Sequence, residues 1–422
     1  MLQRGAERAA AVVRRHRPDM LLLLFMCILV LLGLIIIYAI SPPLAARAVG
    51  DVDPNHFMYR QVIYLLIGAA AFTAAYMIPV DFWRKINGKL LVGALILGTL
   101  PFVLQATPIG LCANGACRWL DFGFISFQPA EIMKFALVVF LASFLAVRIQ
   151  QGKINDVQMT LVPVAIVLVT MAFIVIGLQQ DLGTGITVLS VVLTMLFMSG
   201  LSRRLLLLVF AGVAALGTIF ILIAPHRMER ILTFINHSSS TDDKMGYHID
   251  QALIAVGSGG LTGKGLGQSI QAFGYLPEAA NDSIFAILAE IFGFLGTVGV
   301  LAIFAGLLSR LLHIMDRSAN MYYRLVVAGI FGWIFSHTVV NIGAMLGIFP
   351  LTGITLPFVS FGGTSLLFML AAIGVALQIS RYTGHQTVPG VNAGGSGSNE
   401  DRRRGRGIGR PRDASSGSFS RA

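Results

Sequence analysis

The chain has 422 residues, of which 56% are hydrophobic and 12% charged, with a formal net charge of +11. Soluble domains carry about 25% charged residues, so this composition excludes a soluble globular domain and points to lipid as the solvent. The basic excess is no sign of nucleic acid. It concentrates in the segment Arg4 to Arg17 and in Arg402-Arg403-Arg404-Gly-Arg406, where it sets topology or attracts anionic membrane lipids or a cytoplasmic partner.

In chain order, residues 1–19 read as a basic arm. Apolar runs long enough to cross a bilayer follow near 20–41, 60–79, 89–107, 129–148, 159–178, 182–199, 204–224, 284–309, 325–348 and 364–380. The expected fold is all-α: a polytopic membrane protein with ten transmembrane helices. The first span lacks a small-residue cleavage site and is expected to be retained. The sixth, starting in Gln179-Gln180-Asp181, is short enough to be tilted or partly re-entrant. A large extracytoplasmic loop, about 225–283, separates spans seven and eight. Residues 383–422, rich in Gly, Ser and Arg, read as a disordered basic cytoplasmic tail.

Charge sorting supports the span count. With ten spans, 23 of the 31 Lys and Arg residues fall on the side of the termini and 8 on the other, while the acidic residues divide 8 and 12. The positive-inside rule therefore places both termini in the cytoplasm.

Polar residues gather on the outward side. Cys112 and Cys117 flank an Asn-Gly turn former in a loop where oxidising conditions permit a disulfide, and the sequence leaves that pairing open. No further Cys or His stands near to complete a metal site. Arg118 and Trp119 form a cationic-aromatic pair, Trp119 serving either as an interfacial anchor or as a ligand contact. Glu131 and Lys134, spaced i,i+3 at the head of the fourth span, can pair inside the bundle. Asp181 caps the sixth span or faces a polar cavity.

The long loop opens with Arg227 and Arg230, spaced to share one face of a short helix, and continues with a helical segment from Asp250 to Val256. The glycine-rich run 257–267 fails the P-loop test, because Ser258 stands at the first glycine and Gly265 at the hydroxyl position. Two readings remain for it: a phosphate cradle with Lys264, or a flexible bend. Asp282 opens the eighth span, with Glu278 four residues before it and Glu290 eight after. A carboxylate at a membrane boundary is a functional candidate, although a helix cap is the simpler reading. The segment 341–365 breaks helix twice at Pro350 and Pro357, tolerable where protein or a wet cavity satisfies the backbone.

Taken in order, Arg118-Trp119-Leu, Gln128-Pro129-Ala-Glu131-Ile-Met-Lys134, Gln-Asp181-Leu-Gly-Thr, Ala-Val-Gly-Ser-Gly-Gly-Leu, Leu276-Pro-Glu-Ala, Asp282 and Leu-Pro357-Phe-Val-Ser-Phe-Gly-Gly resemble the SEDS family of bacterial cell-wall synthesis. The resemblance covers about 20–382, and Leu276-Pro-Glu-Ala with the basic tail looks more like the FtsW branch than RodA. It implies a peptidoglycan glycosyltransferase in the bacterial cytoplasmic membrane that polymerises lipid II on the outer face. By the same resemblance Asp282 is the catalytic carboxylate, and Trp119, Glu131 and Lys134 line or support a central cavity. The implied partners are a class B penicillin-binding protein and other division or elongation proteins.

The chemistry of that reaction needs a base for a sugar hydroxyl and cations for departing pyrophosphate. Asp282 is the candidate base; Arg118, Arg227, Arg230 and Lys264 are the candidate cations, with a divalent ion such as Mg or Mn as a further possibility and no organic cofactor. Glu278 and Glu290 complete the candidate substrate-facing set. The chain departs from the family pattern at Ala280, Asn281 and Ser283, where His, Thr and Phe are usual. It also has Ile291 in place of a second Glu, Phe361 for Tyr and Thr355 for Pro. A flippase for the same precursor and a catalytically silent scaffold are the competing expectations.

Overall fold

A computed structural model describes residues 13–15, 17–47, 53–113, 116–123, 125–223, 244–318 and 320–384. Most of the basic arm, the tail beyond 384 and the stretch holding Arg227 and Arg230 lie outside these residues.

Each expected span falls on a helix: α1 (Met20–Ala45), α2 (His56–Met77), α3 (Val80–Val103), α4 (Pro129–Gln150), α5 (Val157–Leu178), α6 (Leu182–Met198), α7 (Arg203–Ile223), α9 (Ile284–Arg317), α10 (Met321–Met345) and α11 (Gly363–Ile379), with α8 (Lys244–Ser258) in the long loop. Seven of them, α1 to α5, α9 and α10, are long and apolar enough to cross a membrane; α6 and α11 are shorter apolar helices. The architecture is that of a multi-pass helical membrane protein. Helix α3 begins nine residues before its apolar run because Arg84, Lys85 and Asn87 continue the helix. Backbone bonding, not hydropathy, sets a helix end.

The loop between α3 and α4 departs from the all-α expectation. There β2 (Gly110–Ala113), β3 (Ala116–Asp121) and β4 (Ser126–Phe127) form a small antiparallel sheet. Cys112 and Cys117 face each other across the first hairpin and are disulfide-bonded. A second ribbon pairs β1 (Val13–Arg15) with β5 (Tyr382–Gly384).

Helices α4 and α10 form the centre of the bundle, with about seven-tenths of each apolar window buried, 67% and 72%. Small residues let them approach their neighbours, the usual device where lipid supplies no hydrophobic drive. A Cβ on Gly329 would meet Val138 Cγ1 at 2.8 Å, and one on Gly332 would meet Thr194 Oγ1 at 2.8 Å. Asp19 caps α1 through Leu22 N at 3.1 Å, is gripped by Arg310 of α9, and donates its own N–H to Ser380 Oγ at 3.0 Å. The start of α1, the late part of α9 and the end of α11 therefore meet on one side.

The long helix α9 is interrupted at Gly293, where φ is 65° and ψ is −167°. The broken ladder is repaired by the glycine-rich run: Lys264 N donates to Glu290 O (2.9 Å), Gly265 N to Ile291 O (3.0 Å), Phe294 N to Gly260 O (2.9 Å) and Leu295 N to Leu261 O (3.1 Å). The run is thus neither an open phosphate cradle nor a loose bend. Two of its amides and two of its carbonyls are spent on backbone groups of α9, which is how non-helical backbone survives beside a membrane span. A Cβ on Gly263, whose φ is +83°, would overlap Ile291 O. Gly263→Ala is expected to cost about 1–3 kcal/mol for the overpacking, read as a lower melting temperature in detergent.

Candidate active site at the mouth of α9

The chain from Leu276 to Ser283 makes a compact turn before α9. Glu278 adopts a left-handed conformation, φ 50°, and its carbonyl accepts from Asn281 N (2.9 Å) and Ser283 N (3.2 Å). Ser283, not Asp282, is the residue that caps α9, and its side chain makes no cap bond. Its hydroxyl donates to Pro277 O at 2.9 Å and also meets His248 Nε2 of α8 at 2.7 Å. The single hydroxyl proton is committed to Pro277, so the imidazole donates from Nε2. Burial pushes His248 down to about 4, leaving the ring neutral at pH 7.

The capping expectation for Asp282 is therefore corrected. Its Oδ1 is shielded from solvent and has no hydrogen-bond partner, while its main-chain carbonyl accepts from Asn341 Nδ2 at 2.7 Å. The breaks of the 341–365 segment serve this site. Phe361 N donates to Ala280 O at 2.8 Å, and Gly353 lies alongside, where a Cβ would stand 4.0 Å from Asp282 Oδ2. Burial first, then the negative charge of Glu278, raises the Asp282 carboxyl to about 7; the N–H groups of Asp282 and Ser283 pull it the other way. A carboxylate poised near neutrality suits a general base.

The other nominated residues divide into those near this turn and those spent elsewhere. Glu278 is exposed beside it, with Oε2 accepting from Asn281 Nδ2 at 2.5 Å. Glu290 is fully enclosed and saturated: it accepts from Lys264 Nζ (2.7 Å), Ser269 Oγ (2.5 Å), Ile270 N (3.2 Å) and Gln271 N (3.3 Å). Glu290 and Lys264 are bonded to each other in this arrangement. Together they anchor the returning loop to α9, because a buried carboxylate needs a full set of donors.

Glu131 and Lys134 do pair inside the bundle, at 2.9 Å, and Lys134 Nζ reaches His337 Nε2 at 3.0 Å and lies 5.1 Å from the centre of the Trp333 ring. Ammonium only donates, so Nε2 accepts and Nδ1–H points at Thr355 O, 3.2 Å away. This ladder runs from α4 through α10 to the segment beside Asp282. Asp181 caps α6, accepting from Thr184 N at 3.0 Å, and also accepts from Gln128 Nε2 at 3.3 Å. Arg118 donates to the carbonyls of Gln179 (3.0 Å) and Gln180 (2.6 Å), steadying the turn where Gln180 has φ 55°. Among the described residues no acid forms an ion pair with Arg118. Trp119 sits half-buried on β3. Arg227 and Arg230 lie outside the described residues.

Sequence reasoning did not single out His248 or Asn341. Asn341, a polar residue within an apolar span, carried a signal of its own. His248 carried none, since its partner is set by how α8 folds back onto the turn.

These features define a class: a multi-pass membrane protein with a carboxylate, one oxygen of it unpartnered, at the mouth of a long helix. Residues 19–385 match the cell cycle protein family of FtsW, RodA and SpoVE, and the chain belongs to it. It is 38% identical to stage V sporulation protein E of Bacillus subtilis over 376 residues, covering 88% of this chain and 99% of that one. It is 35% identical over 359 residues to the "Probable peptidoglycan glycosyltransferase FtsW" of Coxiella burnetii, covering 84% and 94%. Among solved structures it resembles a chain of a peptidoglycan synthase complex that coordinates polymerization and crosslinking, with TM-score 0.69, 27% identity and coverage of 86% and 98%. The rod shape determining protein RodA of Thermus thermophilus gives TM-score 0.63, 28% identity and coverage of 86% and 97%.

Proposed function

We propose that this chain is a peptidoglycan glycosyltransferase that polymerises lipid II, the undecaprenyl-pyrophosphate-linked disaccharide peptide, into glycan strands. It works on the outer face of the bacterial cytoplasmic membrane, with ten spans and both termini cytoplasmic, during division or elongation. Its partners are a class B penicillin-binding protein and other proteins of that complex. The observation that carries the reading is the Asp282 carboxylate, with Oδ1 unpartnered and its proton affinity raised to the neutral range.

In the proposed step, Asp282 removes the proton of the acceptor sugar hydroxyl as that oxygen bonds to the anomeric carbon. The bond from that carbon to pyrophosphate breaks, and its electron pair leaves with the lipid carrier. An α-linked donor gives a β-linked product by one displacement, so one carboxylate suffices and no covalent enzyme intermediate forms. Negative charge growing on pyrophosphate is met by cations, with Arg118, Arg227 and Arg230 as the residues proposed to supply it. Among the described residues no three His, Cys, Asp or Glu side chains converge as a metal site. Asp282 and exposed Glu278 are the carboxylates that could hold a divalent cation jointly with the substrate, where it would neutralise pyrophosphate charge.

The test is reconstitution of the protein with its penicillin-binding partner and lipid II, with glycan strands as the product. Lipid translocation in vesicles without any glycan would instead favour a flippase. The pH profile gives a second check. The active form of Asp282 is the carboxylate, so kcat is expected to rise about tenfold per pH unit below about 7 and to level off above it. A flat profile between pH 5.5 and 8 would remove Asp282 from the proton-transfer step.

A further inference from the structure

Asn341 lies one helical turn beyond His337 on α10, buried to 1% exposure. Its Nδ2 donates two hydrogen bonds, to Asp282 O and to Ile354 O, each 2.7 Å long. The amide orientation is set by its surroundings, because the flipped form would press Oδ1 against two carbonyl oxygens. The Asp282 carbonyl is available because the N–H of Ala286 bonds instead to Ser283 O, at 3.0 Å.

We propose that Asn341 is a positioning residue for Asp282, fixing the peptide from which the carboxylate projects and tying it to the segment that walls the site. This rests on the glycosyltransferase reading above. Oδ1 has no partner to hold it, so fixing the peptide from which the side chain projects narrows where the carboxylate can stand. Of the side chains that reach the turn from other helices, His248 meets Ser283 and Asn341 bonds to the main-chain carbonyl of Asp282. The same amide holds Ile354, and His337 holds Thr355 through its ring at 3.2 Å. One face of α10 therefore sets both the base and the wall beside it. A misplacement of about 1 Å in a reacting group costs on the order of a hundredfold in rate.

The experiment measures lipid II polymerisation by the full chain with its penicillin-binding partner, comparing wild type with Asn341→Leu, Asn341→Gln, Asn341→Ser and Asp282→Asn. Leucine keeps the branched shape and removes both donors; glutamine keeps both on a longer stem; serine keeps one. The expected result is a 10- to 100-fold fall in kcat for Asn341→Leu with KM for lipid II within about twofold of wild type. Glutamine and serine are expected to recover part of the loss. A kcat within about threefold of wild type, or a loss carried wholly by KM, would overturn the proposal. If the leucine variant does not fold, the serine variant decides: kcat lowered at least threefold at unchanged KM supports the role, and unchanged kcat refutes it. Failure of wild type to make glycan sinks the underlying function, whereas an active wild type, an inactive Asp282→Asn and a fully active Asn341→Leu sink only the positioning role.

Discussion

Asp282→Asn is expected to lower glycan polymerisation by about a hundred- to ten-thousandfold, the usual worth of a positioned general base, while leaving the fold intact. The substitution is nearly isosteric, and Oδ1 makes no hydrogen bond that the amide would break. It is also expected to stabilise the protein at high pH. The folded-state pKa of this acid is raised, from 3.8 to about 7. The folded protein therefore holds the proton more tightly than the unfolded chain, and stability present below pH 4 is lost as pH rises through about 7. Asparagine never ionises, so the melting temperature of the variant in detergent should match wild type at pH 4 and exceed it at pH 8. A variant that polymerises at the wild-type rate would end the assignment of Asp282 as base. A variant that melts lower at pH 8 would show that the carboxylate serves the fold instead.

Glu290→Ala should do the reverse, damaging the fold first and activity only through it. The substitution leaves Lys264 without its counter-charge and strands the donors of Ser269, Ile270 and Gln271. Breaking a buried pair by removing one partner costs about 3–5 kcal/mol. The loop that then loosens is the one whose amides splice α9 across Gly293, and α9 carries the Asp282 turn at its head. Glu290→Gln retains an acceptor and should lie between alanine and wild type. Melting curves and lipid II binding separate this from a substrate contact. An unchanged melting temperature with a raised KM would show that Glu290 meets the ligand after all.

The two carboxylates were adjacent in the sequence argument and part company in the fold. Both stood out because an acid at or inside an apolar span is costly. Nothing in spacing told which would be saturated and which left open. That depended on residues 264–271 folding back onto α9, contacts of sequence separation 19 to 26. The disulfide was legible as a possibility from Cys112, the Asn-Gly turn and Cys117, but its formation needed the hairpin register. The local cap at Asp181 could be read directly, because capping involves residues within one turn.

The amino-acid sequence alone determined the solvent, the placement of the helices, the family pattern and Asp282 as the residue to watch. Those follow from composition, the length of apolar runs and local order, properties that survive without a fold. Tertiary structure alone decided that the glycine-rich run splices a broken helix, that Glu290 and Lys264 satisfy each other, and that Asn341 grips the peptide of Asp282. Each of these is a hydrogen bond between distant segments, and a buried polar group is committed or free only once its neighbours in space are known.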